Sequence, residues 1–428
     1  MAKEKKKLLV PKWRFKGFAE GWKKMSYGEI YTFHTTNSYS RDNLNYEAGL
    51  VKNIHYGDIH TKFSTLFDIQ KEYVPFVNTE IDISKIKEEC YCQEKDLVIA
   101  DASEDYADIG KTIELINLNK EKIIAGLHTF LARPSKHEMA KGFAGYLVQT
   151  WNVRKQVMTI AQGTKVLSIS TGRLALLKLN IPALPEQQKI ASFLSAIDQK
   201  LQQLQRKKEL LEHYKKGVMQ QLFSGKLRFK DEKGKAYPKW EEKTLEAISL
   251  KVQDGTHFSP KSLDQGEFFY LTSKNIKNGY IDLSSAQFVS KADHDAIYKR
   301  CDIRRGDVLL TKDGTIGQVC VNNLDKPFSL LSSVAFIRTN KDCDNYFLYQ
   351  VLVSPVGQRE ISNSIAGQAL KRITLTKIKN FKFLFPVISE QQKIANYLTS
   401  IDKKVELIKT QLKETETFKK GLLQQLFV

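Results

Sequence analysis

Several features are scarce or missing in this sequence. No run of apolar residues approaches the ~20 needed to span a bilayer. The opening stretch, MAKEKKKLLVPKWRF, has neither the apolar core nor the small-residue cleavage site of a signal peptide. Cysteine is rare: there are five in 428 residues, and only Cys90 and Cys92 lie close together. That spacing carries neither a disulfide framework nor a zinc site and fits reduced thiols in a cytoplasm. Acidic residues are also short, 48 Asp+Glu against 67 Lys+Arg, for a formal net charge of +19. Nucleic acid, a membrane surface or another acidic partner would each explain such an excess, and the missing apolar span weakens the membrane reading. Disorder does not explain the charge, because aromatic and aliphatic residues are spread along the whole chain.

Signatures of catalysis are missing as well. Gly110-Lys111-Thr112 looks like the end of a phosphate-binding loop, but that motif needs a glycine five residues earlier, where Asp105 stands. The segment therefore reads as a strand-turn feature. No Asn-Pro-Pro-Tyr or Asp-Pro-Pro-Tyr motif and no glycine-rich methyl-donor fingerprint is present. His55 and His60, five apart, share neither a helix face nor a strand face and read as ordinary polar residues rather than metal ligands.

What the chain does have is an internal repeat. Glu186-Gln187-Gln188-Lys189-Ile190-Ala191, running on to Gln220-Gln221-Leu222-Phe223, recurs as Glu390-Gln391-Gln392-Lys393-Ile394-Ala395, running on to Gln424-Gln425-Leu426-Phe427. The offset is constant, since 390 − 186 = 204 and 427 − 223 = 204. The repeat continues upstream: Trp22 to Ile30 resembles Trp240 to Ile248, and Arg14-Phe15-Lys16 recurs as Arg228-Phe229-Lys230. Fainter echoes join Lys52-Asn53-Ile54 to Lys274-Asn275-Ile276, and Asp96 to Ile99 with Asp307 to Leu310. The order of parts is circular, which predicts a pseudo-two-fold molecule whose terminal segments meet.

The repeated segments predict long helices. Ile190, Leu194, Ile197, Leu201, Leu204 and Leu211 alternate spacings of four and three, or their sum, and so do Ile394, Leu398, Ile401, Val405, Ile408 and Leu412. This is a heptad seam, and each copy is the natural antiparallel partner of the other. Nearly 40 residues give each helix a reach of roughly 55 Å. Ser389 with Gln392 suggests a capping box, Pro185 and Glu186 suit a first turn, and Gly225 suits a stop. Gly217 and Gly421 each cost ~1 kcal/mol inside a helix and imply close approach or a local break.

Between the helices lie divergent segments with strand-like runs at Asp96 to Ala100, Thr129 to Ala132, Asp307 to Thr311 and Val334 to Arg338. Short helices are expected at 143–152 and 346–353. The fold class is thus mixed α+β: two α/β domains separated by two long antiparallel coiled-coil helices. The expected boundaries are an N-terminal segment 1–30, domain 31–180, helix 184–225, restart 226–248, domain 249–384 and helix 388–428.

Loops on a rigid scaffold suit base-edge readers, Arg or Lys for guanine and Asn or Gln for adenine. In the first domain the candidate DNA contacts are Arg41, Asn53, His55, Asp101, Ser103, Gln162 and Lys165. In the second they are Thr256, His257, Lys274, Asn275, Thr311, Lys312, Asp313, Thr315, Gln368, Lys371 and Arg372. Taken singly, any of these is explained better by a solvated turn; taken as a set, they favour DNA contact.

The pattern of variable domain, helix opening on Pro185-Glu186-Gln187-Gln188-Lys189-Ile190-Ala191, tryptophan-containing restart, second variable domain and second such helix resembles the specificity subunits of Type I restriction–modification systems. The resemblance covers essentially the whole chain. It implies two target-recognition domains, 31–180 for the 5′ part of a split asymmetric site and 249–384 for the 3′ part. It implies helices that fix the spacer and dock two methylation subunits, with ATP-dependent restriction subunits joining them. S-adenosylmethionine, ATP and Mg2+ would then belong to the partners, and this chain would carry no cofactor. The competing readings are an enzyme with an unfamiliar site and a scaffold that pairs with such partners without reading DNA.

Overall fold

The computed structural model describes residues 9–135, 139–365 and 371–428. The chain forms two compact units, one of residues 1–204 with 411–428 (unit 1) and one of residues 205–410 (unit 2).

In unit 1 a five-stranded sheet has the order Tyr31–His34, Thr129–Pro134, Leu97–Ala100, Thr112–Asn117, Leu66–Asp68. All neighbours are antiparallel except the last pair. The whole of Leu97–Ala100 is buried. Leu97 and Ile99 join a cluster with Phe143 and Tyr146, while Val98 and Ala100 join one with Phe67 and Leu131. Side chains alternate across a strand, so a sheet covered on both faces selects a continuous apolar run.

Unit 2 repeats this order with Ser249–Asp254, Val334–Thr339, Val308–Thr311 and Val319–Val321, all antiparallel. Here Val308 and Leu310 face a cluster with Phe347, and Leu309 faces one with Phe328. A repeated ion pair braces the entry to the central strand. Arg133 grips Asp96 through Nε and Nη2 at 3.0 and 2.8 Å, and Arg338 grips Asp307 the same way at 2.9 and 2.8 Å.

The four expected strands are present. The helix expected at 143–152 is instead two, Phe143–Leu147 and Trp151–Ile160, parted where the Thr150 hydroxyl donates to the Leu147 carbonyl. Asn345–Val353 forms as expected, capped by Asp344, which accepts from the Phe347 N–H at 2.9 Å. Strands from the expected segments 1–30 and 226–248 pair with strands from the end of the domain that follows each. Lys23–Ser26 pairs with Lys178–Ile181, and Glu241–Thr244 pairs with Lys382–Phe385.

The central helix is Leu184–Phe223 and the terminal helix is Ile388–Gln425, so each unit holds a stretch of both. In unit 1, Ile190, Leu194 and Ile197 share a cluster with Leu422, Leu426 and Phe427, and Lys419 pairs with Asp198. In unit 2, Ile394, Leu398 and Ile401 share a cluster with Val218, Leu222 and Phe223, and Lys215 bonds Asp402 at 2.6 and 2.8 Å. In both units the early part of one helix meets the late part of the other, the antiparallel arrangement the heptads predict. Of the remaining seam positions, Leu204, Val405 and Ile408 are buried, and Leu201, Leu211 and Leu412 are half-buried.

Both helices begin on an apolar residue's carbonyl: Ala183 O accepts from Glu186 and Gln187, and Val387 O from Glu390 and Gln391. Ser389 therefore sits inside the first turn, and it does not form the expected capping box with Gln392. Glu186, Gln187, Glu390 and Gln391 are buried and fasten other segments instead. The Gln187 oxygen accepts from the Ala140 N–H at 3.0 Å, and the Gln391 oxygen from that of Asp344 at 2.9 Å.

Neither helix breaks at Gly217 or Gly421, and a Cβ at either position would meet nothing within 4 Å. Both the break and the close approach within the chain are thus set aside. Gly225, at φ +74°, ends the central helix by donating to the Leu222 carbonyl. In unit 1 the Trp13 N–H donates to Gln425 O at 3.0 Å, so segments near the two termini meet. Among the described residues, no helix is long and apolar enough to cross a membrane.

Candidate nucleic-acid interface

In unit 1 the loops that follow the sheet converge on Tyr56. Its ring lies 4.7 Å from that of His55, 5.9 Å from His60 and 5.3 Å from His128. The two histidines that looked unrelated in sequence therefore meet here, because His55 caps the helix Tyr56–Thr61 that carries His60. The His55 Nδ1 accepts from the Gly57 N–H at 3.1 Å, which leaves the ring proton on Nε2. Burial, reinforced by the Arg41 charge, lowers the His55 pKa to about 4, so the ring is neutral at physiological pH.

Asp101 follows the central strand and faces His128 Nδ1 at 3.2 Å; burial raises its pKa, with His128 opposing. Ser103 sits beside a hairpin in which Gln162 and Ser168 exchange backbone bonds and Lys165 is exposed at the tip. Gly163 is required there: φ is +120°, and a Cβ would lie 2.0 Å from Val166 O. Arg41 is half-exposed, with both terminal nitrogens on the buried Asp58 at 2.6 and 2.8 Å. Hydrogen bonds from Arg41 and Lys62 outweigh burial and keep the Asp58 pKa low.

In unit 2 the corresponding loops gather over Asp254, the last residue of its strand. Lys312 Nζ lies 3.2 Å from this carboxylate, His257 Nε2 3.3 Å and Arg300 Nη2 2.9 Å. The loop that begins at Lys312 is tied to the Arg372 segment by a bridge between Asp313 and Arg372, and by the Ile373 N–H donating to Lys312 O. His257, Lys274, Thr315, Lys371 and Arg372 are exposed, and Asp313 is half-buried.

Several candidates prove to be interior. Asn53 is fully buried and accepts from Asn37 Nδ2 at 2.8 Å. Asn275 is buried, accepting from the Thr272 N–H and donating to Asp282 O. Thr256 and Thr311 are buried and close their own turns, Thr256 on Phe258 and Thr311 on Gln318. Lys312 is 2% exposed and is spent on Asp254. A buried polar group calls for a partner inside the fold, and apart from Asn53 Nδ2, unpaired among the described residues, these side chains have theirs there. His55 is also mostly buried. Gln368 lies outside the described residues.

The sequence reading took His60 for an ordinary polar residue and missed Tyr56 and His128 in unit 1, and Asp254 and Arg300 in unit 2. Only the turn Gly126-Leu127-His128 carried a local signal. The others gain meaning from partners far along the chain.

The chain as a whole is similar to known proteins. The family described as the Type I restriction modification DNA specificity domain matches residues 19–213 and 237–417. The Type I restriction enzyme MjaVIII specificity subunit of Methanocaldococcus jannaschii is 27% identical over 261 residues, covering 58% of this chain and 61% of that one. The match thus spans less than two thirds of that relative. The putative MjaX specificity subunit of the same organism is 26% identical over 378 residues, covering 82% and 84%. The crystal structure of a Type I restriction–modification S subunit from M. genitalium shares the fold, with TM-score 0.63 at 16% identity over 98% of this chain and 99% of that one. With two matched segments, two units of one strand order and a paired long helix in each, the chain belongs to the Type I restriction–modification DNA specificity family.

Proposed function

We propose that the chain reads a two-part, asymmetric DNA target, one half-site per unit, and holds methylation and restriction subunits on it without itself catalysing a reaction. One observation carries this reading: the two units share a strand order and a braced core yet present chemically unlike loops. Unit 1 offers imidazole and phenol rings around Tyr56, and unit 2 offers cations around Asp254. Similar scaffolds with different reading surfaces suit a target whose halves differ. Residues 31–180 read the 5′ half and 249–384 the 3′ half.

The net charge of +19 supplies salt-dependent attraction to phosphate, which positions the protein but does not specify sequence. The long helices set the spacing and dock the methylation subunits. S-adenosylmethionine, ATP and Mg2+ belong to the partners, and the assembly works in the cytoplasm beside the genome.

The test is to map adenine methylation in cells that carry this chain with its methylation subunit and in cells that lack only this chain. A split, asymmetric motif that disappears with the chain is the expected result. An unchanged map despite an active methylation subunit would overturn the reading.

A further inference from the structure

Unit 2 holds more cations around Asp254 than that carboxylate needs. Asp254 is 2% exposed, and a charge so buried must be matched. Lys312, equally buried, already matches it through Nζ on Oδ2 at 3.2 Å. Arg300 and His257 both come to the other oxygen, Oδ1, at 2.9 and 3.3 Å, while their own side chains stay about half exposed, 49% and 48%. Burying Asp254 does not account for Arg300.

The arginine is also fixed more firmly than a surface arginine needs to be. The Gln253 amide, with its oxygen turned toward Arg300, accepts from Nε at 2.9 Å and Nη2 at 3.2 Å. The arginine's backbone is held at both the N–H and the carbonyl, and the next residue is tied to Asp254. The Arg300 N–H donates to Ile297 O, the Arg300 carbonyl accepts from Lys251 Nζ at 3.2 Å, and the neighbouring Cys301 Sγ donates to Asp254 O at 3.0 Å. Nε and Nη2 are thus engaged, while Nη1 has no partner among the described residues. Its two N–H groups form a rigid donor end beside the exposed His257 and within the same loop cluster as Lys371 and Arg372.

We propose that Arg300, oriented by Asp254 and Gln253, donates to the O6/N7 acceptor edge of a guanine in the half-site read by unit 2. This rests on the DNA-reading function proposed above. The Nη1 end, held in advance through Nε and Nη2, loses little freedom on binding, and its two hydrogens are offered to the adjacent O6 and N7 acceptors of guanine. A backbone phosphate offers the same acceptor chemistry, and the experiment separates the two. In unit 1 the strand that corresponds to Ser249–Asp254 is Tyr31–His34, which ends on a histidine rather than a carboxylate, so the two halves do not share this arrangement.

The full chain is used to select from a duplex DNA library with two randomised windows and spacers of varied length, as wild type, Arg300→Ala and Arg300→Lys. Arg300→Ala is expected to leave one window unchanged and to erase preference at a single G·C column of the other. Its affinity for the wild-type duplex is expected to fall roughly 5- to 150-fold. Replacing that guanine with 7-deazaguanine should weaken the wild type and leave Arg300→Ala unaffected. Arg300→Lys should lose the column but keep the salt dependence.

Uniform weakening on all duplexes, with the salt slope reduced by about one, would mean a phosphate contact and overturn the guanine assignment. An unchanged selection profile for Arg300→Ala would overturn the contact altogether. If the wild type selects nothing in either window, it is the proposed function that fails, and that is visible before any variant is compared.

Discussion

Arg14 and Glu186, distant in sequence, meet through two parallel bonds, Nε to Oε1 and Nη2 to Oε2, each 2.7 Å. The carboxylate is 2% exposed at its side chain, and the helix Leu184–Phe223 starts beside it. Unit 2 repeats the clamp with Arg228 on Glu390 at 3.1 and 2.6 Å, and there Trp240 Nε1 adds a third donor. The recurring Arg-Phe-Lys segment thus has a purpose. Its arginine anchors the helix start, and Phe15 and Phe229 pack on Phe193 and Tyr397.

Removing one partner of such a pair strands a buried charge. Arg228→Ala is expected to destabilise unit 2 by about 3–5 kcal/mol. Chemical denaturation followed by tryptophan fluorescence checks it, because Trp240 lies against Arg228. A loss no larger than that of an ordinary surface change would contradict the role given to the clamp.

Glu114 is a second buried carboxylate, accepting from the N–H groups of Gly142 and Gly145. Burial raises its pKa from 4.5 to about 7, against those two bonds. The folded state therefore holds a proton that the unfolded state releases first, and stability falls as pH rises from about 4.5 to about 7. Glu114→Gln should flatten this part of the profile. Melting temperature against pH, for both chains, is the measurement, and parallel profiles would refute it.

Gly217 and Gly421 face open space within the chain. Replacing either by alanine should stabilise the free chain by up to about 1 kcal/mol. The same variants should be assayed for binding of the methylation subunits. Unchanged stability together with weakened assembly would show that the glycines serve a partner's approach.

Lys312 and Lys371 look alike in sequence and should behave differently. Lys312→Ala leaves Asp254 without its buried partner and is expected to unfold unit 2 in milder denaturant, at a cost of about 3–5 kcal/mol. Lys371 is exposed, so Lys371→Ala should leave stability unchanged. It should weaken binding to all duplexes alike and lower the salt slope by about one.

The organisation was legible in the sequence because it is written in periods. A constant offset marks the repeat, spacings of four and three mark the helix seam, and unbroken apolar runs mark strands such as Leu97–Ala100. The division of labour among polar loop residues was not legible. Thr311 and Lys312 read as a polar turn after a strand, and nothing near them announces that Asp254 takes the lysine inward. Ser389 with Gln392 looked like a capping box for the same reason. Its pattern is local, whereas the helix start is fixed by Arg228 reaching Glu390.

The pairing of Lys312 with Asp254 limits how recognition could be exchanged between proteins of this architecture. A reading loop is not a removable tip when its first residue is also part of the interior. Moved onto unit 1, the segment from Lys312 to Gly317 would bring a lysine that needs a carboxylate to a place built around Asp101 and His128. The smallest transferable piece is therefore the whole sheet with every strand end attached, and new specificities should be acquired by replacing complete domains rather than by redrafting single loops.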